Sequence, residues 1–193
     1  YCTLRKCHIV KNRVILMDLN AGQLIAGRWR KGSCADVITA IDPATEDVLN
    51  QFPAASAQDT TEAIAAANVA QQQWRKTSGW SRADILHKCA DVMVARTEEA
   101  ARQITLEAGK PIAQSRREWQ LSIDQFRWYA EEARRITGQI IESRAPGGRL
   151  EVHHEPVGVV AAFTAWNFPA VLIARKVAPA LAAGCPVIVR PSS

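Results

Sequence analysis

Ala165-Trp166-Asn167-Phe168-Pro169 is the segment of this sequence best placed to do chemistry. A valine-rich stretch runs into it from Val157, and a helix-forming stretch leaves it toward Ala183. Cofactor sites are commonly built where a buried strand hands over to a helix. This turn carries no Gly-x-Gly-x-x-Gly, and Pro169 removes one of the helix-start N–H donors that would hold a pyrophosphate. On spacing alone Asn167 also reads as a helix N-cap, with Pro169 setting the first turn. Trp166 and Phe168 then read as core residues. Cys185 is the other tempting group. It follows a predicted helix C-terminus, where the dipole raises a thiol pKa, so a packed and inert thiol is the better reading. His153 and His154 occupy adjacent positions of an extended stretch and face opposite ways, so they cannot share a metal ion. Cys2, Cys7, Cys34, Cys89 and Cys185 show no paired spacing, and no Cys-x-x-Cys or His-x-x-x-His cluster occurs. Neither a metal site nor a disulfide framework is expected.

Two strands and a helix must position that turn. Val157, Val159, Val160 and Phe163 form a nearly continuous apolar run, suited to a parallel strand covered on both faces. The helix from about Pro169 to Ala183 places Leu172, Val177, Ala180 and Leu181 near one stripe. Gly184 stands where a left-handed cap belongs and Pro186 prevents continuation. Val187–Val189 supplies the second strand. A strand, helix and strand within 34 residues read as a right-handed βαβ unit, and the fold class as α/β.

The upstream half reads as helical scaffolding. Ser56 with Asp59 resembles a capping box, followed by Ile64, Ala67, Ala70 and Trp74 at helical spacing. Ser81 and Asp84 repeat that start ahead of Ile85, Cys89, Val92 and Met93. Thr97 is expected to cap a short helix ending at Gly109, and Pro111–Thr137 to form a long one closed by Gly138. Its inner face would carry Trp119, Ile123, Phe126, Ala130 and Ala133, all as core. Leu24–Trp29, Val37–Ile41 and Val48–Phe52 read as short strands around turns at Arg30–Ser33 and Asp42–Asp47. Arg144–Gly148 is a turn between extended stretches Gln139–Glu142 and Leu150–His154.

Hydrophobic residues make up 48% of the 193 and charged residues 22%, with no apolar run long enough to span a bilayer. The net charge of +5 suggests nucleic acid until it is located. Residues 1–31 hold seven Lys or Arg and one acid, so the excess belongs to the N-terminal stretch and the remainder is near neutral. Neither nucleic acid nor membrane is expected as a partner. The first residue is Tyr, and no small-residue cleavage pattern follows the basic stretch. That stretch therefore reads as a fragment or read-through start rather than a targeting signal. A reducing cytoplasm is the expected compartment.

The segments GVVAAFTAWNFP, IARKVAPALAAGC and VIVRPSS closely resemble the first βαβ unit of the NAD(P)-dependent aldehyde dehydrogenase superfamily. The resemblance extends through IDPATED at Ile41–Asp47, LEAGKP at Leu106–Pro111 and FRWYAEEARRITG at Phe126–Gly138, covering about residues 24–193. It implies an aldehyde dehydrogenase-like fold, in which a helical and strand region leads into the first βαβ unit of a Rossmann-type cofactor domain. The chain would stop before the catalytic domain. Residues 1–20 are then a basic tail expected to be disordered. Residues 21–138 and 156–193 form an incomplete cofactor-binding domain, and 139–155 an oligomerisation hairpin.

Members of that superfamily oxidise aldehydes to acids with NAD or NADP through a thioester. A cysteine thiolate attacks, a hydride leaves to the nicotinamide, and a glutamate-activated water releases the acid. Asn167 matches the asparagine whose amide donates to the developing oxyanion. Phe163, Thr164, Trp166 and Asn167 match positions lining the dinucleotide site. Arg190 stands where a ribose-binding lysine is usual, and Ser193 where NAD-preferring members often carry glutamate. NADP or NAD is the implied cofactor, with NADP used at least as well. Two residues depart from the pattern. Ala165 replaces a proline, and Arg190 keeps the charge of lysine but not its shape. Arg175 matches the arginine that binds the distant carboxylate in succinate-semialdehyde dehydrogenases, although a solvated helix arginine beside Lys176 is an equal reading. The implied substrate is a small-molecule aldehyde, succinic semialdehyde first and lactaldehyde-type second, acted on by a homo-oligomer (dimer or tetramer) when full length. The nucleophile and glutamate motifs belong downstream of Ser193, so this chain alone is expected to be inactive. A non-catalytic remnant binding a subunit through the hairpin, or a standalone nucleotide-binding module, are the other readings.

Overall fold

The computed structural model describes residues 22–192, so expectations for the basic stretch 1–20 and for Ser193 lie outside the described residues. The chain begins with a hairpin, β1 (Gln23–Ile25) and β2 (Arg28–Arg30), paired antiparallel. The single strand expected at Leu24–Trp29 is thus two. Ala26 and Gly27 both take positive φ, 52° and 76°, the geometry of the two-residue turn that joins right-twisted strands. A second antiparallel pair follows, β3 (Val37–Ile41) and β4 (Val48–Pro53), around the expected turn at Asp42–Asp47. The Asp42 side chain holds that turn by accepting the Ala44 N–H at 2.8 Å.

Helix α1 (Ala57–Trp74) opens with the expected capping box of Ser56 and Asp59. Asp59 does more than cap. Its carboxylate, 4% exposed, also receives the Ser33 N–H at 2.8 Å and pairs with Arg30 at 2.9 Å, pinning the first hairpin to the helix. Ile64 is 46% exposed, so it contributes little to the core. Trp74 is half-buried and donates its indole N–H to the Leu181 carbonyl.

Helix α2 (Gly79–Ala95) is capped three residues before the expected Ser81. Ser78 is the N-cap, and its hydroxyl accepts the Ser81 N–H at 3.1 Å. Gly79 lets the helix start abut the end of a later helix, because a Cβ there would lie 2.3 Å from the Ala133 carbonyl. The buried residues are Arg82, Ala83, Leu86 and Ala90, not Ile85, Cys89, Val92 and Met93. The inward face is set by packing against neighbouring helices, with Leu86 filling the core between Ala83 and Ala90, where small side chains allow close approach.

Helix α3 (Thr97–Ala108) ends at Gly109 as expected, with φ 64°. Thr97 is not its cap, since the Thr97 hydroxyl donates back to the Val94 carbonyl. Helix α4 (Ile112–Ala133) ends at Arg134 rather than Thr137, and Gly138 instead leads into the next strand. Its inner face carries Ile123, Ala130 and Ala133 as expected, with Phe126 partly buried. Trp119 donates to the Met93 carbonyl. Ser115, Glu118 and Ser122 are also buried on α4, which hydrophobic spacing did not foresee.

The hairpin β5 (Gln139–Glu142) and β6 (Arg149–Val152) is exposed throughout. The chain then enters β7 (Val160–Phe163), α5 (Val171–Ala182) and β8 (Val187–Arg190), with β7 and β8 parallel. This is the expected βαβ unit, shortened at its start. Val157 precedes the strand and is 91% exposed, and only Ala162 of β7 is buried, so the strand is not covered on both faces here. On α5 the buried residues are Val171, Ala174, Ala178, Ala182 and the expected Ala180, while Leu172, Val177 and Leu181 flank them. Gly184 caps the helix with φ 85°, the Gly184 and Cys185 N–H groups donating to Leu181 and Ala180. Helices α2, α4 and α5 meet around Ala83, Leu86, Ala130, Ala133 and Ala182. Among the described residues no helix is long and apolar enough to cross a membrane.

Candidate functional site

The C-terminal ends of β7 and β8 lie side by side. Phe163 and Arg190 are register partners, and the Thr164 N–H donates to the Arg190 carbonyl at 3.3 Å. Residues 165–169 leave from that corner. Phe163, Thr164 and Arg190 are thereby adjacent, and Trp166 follows two residues after Thr164. Phe163 is 67% exposed and Trp166 76%, so neither is a core residue within the described chain.

The start of α5 does not act as a phosphate cradle. Pro169 has no N–H, and the next two donors are taken. Ala170 and Val171 give theirs to the Glu118 carboxylate, at 2.8 and 3.2 Å. Glu118 comes from α4 and is 2% exposed. An anion at a helix start offsets the partial positive charge of the unpaired N–H groups there.

Glu118 is itself paired. Its other oxygen lies 2.5 Å from Lys110 Nζ, and the two side chains are 14% and 1% exposed for lysine and glutamate. Lys110 also donates to the Asn167 main-chain carbonyl at 3.1 Å and sits 4.5 Å from the centroid of the Phe168 ring. The ion pair thus grips the turn at two points, the Asn167 carbonyl and the Ala170–Val171 amides.

Asn167 itself is exposed, and its side-chain amide has no hydrogen-bond partner among the described residues. The N-cap reading of Asn167 is therefore corrected, because Glu118 performs that service. Lys110 and Glu118 were missed as site residues. Glu118 shares a helical stripe with Ser115 and Ser122, and three polar residues on an inward face were the available signal.

Arg175 is exposed on α5 beside Lys176, without an ion-pair partner among the described residues. Cys185 is buried at the far end of α5, about 18 Å of helix from the turn. A cleft lined by Arg75, Ser78, Arg82, His154 and Glu155 also borders Pro156 and Ala183, at the opposite ends of the strands. Burial lowers the Arg82 pKa there. No group of His, Cys, Asp and Glu able to hold a metal occurs among the described residues.

The aldehyde dehydrogenase family model matches residues 29–193. The chain is 40% identical over 169 residues to the succinate semialdehyde dehydrogenase of Acinetobacter baylyi, spanning 88% of this chain and 35% of that protein. It is 41% identical over 170 residues to the NADP(+) succinate-semialdehyde dehydrogenase GabD of Escherichia coli, again 88% and 35%. Among solved structures, an E. coli NADP-dependent enzyme superposes with a TM-score of 0.88 at 40% identity, covering 90% of this chain and 36% of that one. The chain thus spans about a third of the length of the curated relatives it matches.

Proposed function

The chain belongs to the aldehyde dehydrogenase family, and we propose that the whole protein oxidises an aldehyde with a distant carboxylate, succinic semialdehyde first, using NADP or NAD. In this reading Asn167 is the oxyanion donor. As a thiolate adds to the aldehyde carbon, negative charge develops on the carbonyl oxygen. A neutral amide N–H held at hydrogen-bonding distance stabilises that charge without giving up a proton.

The observation that carries the proposal is the unengaged Asn167 amide, freed from capping because Glu118 holds the α5 start. Phe163, Thr164, Trp166, Arg190 and Ser193 would hold NADP or NAD, which when bound supplies the hydride acceptor. The exposed Arg175 would meet the substrate's carboxylate with a planar pair of donors. The family motifs of nucleophilic cysteine and glutamate base match nothing in the 193 residues, so this chain by itself is expected to be inactive. The hairpin β5–β6 would join subunits of a homo-oligomer, and the cytoplasm is the proposed compartment.

Steady-state kinetics of the full-length enzyme test the reading. Asn167→Ala should lower kcat roughly a hundredfold while leaving cofactor affinity near that of wild type. Normal turnover in that variant would overturn it.

A further inference from the structure

Four residues of the turn, Asn167 to Ala170, hang between two points of one buried ion pair. At the leading end Lys110 Nζ donates to the Asn167 carbonyl at 3.1 Å. At the trailing end Glu118 Oε1 accepts from Ala170 and Val171 at 2.8 and 3.2 Å. Lys110 and Glu118 close the loop at 2.5 Å, and the Phe168 ring lies under the ammonium. The pair is otherwise costly to bury, and its hydrogen bonds go to the turn rather than to the core.

The Asn167 carbonyl and its side chain leave the same Cα. A fixed carbonyl therefore fixes the plane from which the amide departs. Without the lysine bond the carbonyl no longer anchors the Asn167 Cα, which can then shift and carry the side-chain amide with it. We infer that Lys110 and Glu118 are positioning residues that jointly aim the Asn167 amide, the ion pair acting on turnover through Asn167 and through nothing else. This rests on the proposed role of Asn167 as oxyanion donor.

The test is a mutant cycle in the full-length enzyme. Lys110→Met combined with Glu118→Gln removes both charges while glutamine keeps an acceptor for the Ala170 N–H, so no charge is stranded. The expected result is a melting temperature close to wild type and unchanged cofactor affinity, with kcat lowered about tenfold or more, the scale of a misplaced catalytic group. In an Asn167→Ala background the same double change should cause no additional loss.

Wild-type kcat in the double variant, with Asn167→Ala impaired, would overturn the inference and leave the oxyanion reading standing. A full extra loss on top of Asn167→Ala would also overturn it, since the pair would then act by another route. Wild-type turnover in Asn167→Ala would sink both readings. If the double variant fails to fold, Lys110→Arg serves instead. It keeps the charge beside Glu118 but not the single point contact to the carbonyl, so lowered kcat with retained stability supports the inference and unchanged kcat defeats it.

Discussion

The Glu118 carboxylate receives the Ala170 N–H at 2.8 Å, across 52 positions of sequence. The residue that completes helix α5 therefore lies on helix α4. The consequence is a division of labour at the turn, in which a remote carboxylate does the capping and the local amide of Asn167 is left unengaged.

That division makes a stability prediction. Removing the buried acceptor with Glu118→Ala leaves Lys110 without its partner and should cost about 3–5 kcal/mol. Asn167→Ala should change stability by less than about 0.5 kcal/mol, as an exposed residue that caps nothing. Urea denaturation of the two variants measures both. A loss near 1 kcal/mol for Asn167→Ala would restore the helix-cap reading.

Substrate choice should follow Arg175. A charge-assisted bond to a carboxylate is worth roughly 1.5–3 kcal/mol, or about tenfold to a hundredfold in preference. Arg175→Leu should therefore erase most of the preference for succinic semialdehyde over butanal, read as the ratio of their kcat/KM values. An unchanged ratio would make Arg175 a solvated helix residue.

Cofactor choice should respond at Ser193. The full-length enzyme is expected to use NADP at least as well as NAD, because a hydroxyl with Arg190 three residues before it in sequence would tolerate a 2′-phosphate that a glutamate would repel. Kinetics with both cofactors should show Ser193→Glu shifting toward NAD. A wild type strongly favouring NAD would contradict the assignment.

Acid should loosen the first hairpin through Asp59. Hydrogen bonds from the Ser56 and then the Ser33 N–H hold its carboxyl well below the ordinary 3.8, against the opposing effect of burial. Because the folded pKa is depressed, the stabilisation is complete above the unfolded value of about 4 and is lost as pH falls through the folded value. Stability measured from pH 6 downward should begin to drop below about pH 4 in wild type. Asp59→Asn should lack that part of the drop, and an identical profile would refute the assignment.

Assembly should depend on the hairpin. Ile140 is 71% exposed and Leu150 52%. Ile140→Lys with Leu150→Lys would place charges at the proposed contact, and sedimentation of the full-length protein should show dissociation. An unchanged oligomer would move the interface elsewhere.

The local features were legible in the sequence because each is decided within a few residues. The Ser56–Asp59 box, the left-handed ends at Gly109 and Gly184, and the βαβ order all follow from caps, allowed φ and apolar runs. The turn 165–169 stood out as a candidate site because its residue types are unusual at a strand-to-helix junction. The inner face of α4 was legible from spacing, but tertiary structure alone decided which faces of α2 and α5 are inside. On α5 the interior went mostly to alanines, and on α2 to Ala83 and Ala90 beside Arg82 and Leu86; small side chains let backbones approach, and hydrophobicity does not rank alanine above its larger neighbours. The role left to Asn167 was decided in the same way. Whether a turn asparagine caps its own helix depends on whether another acceptor reaches those N–H groups first, and Glu118 reaches them only once α4 has packed beside α5.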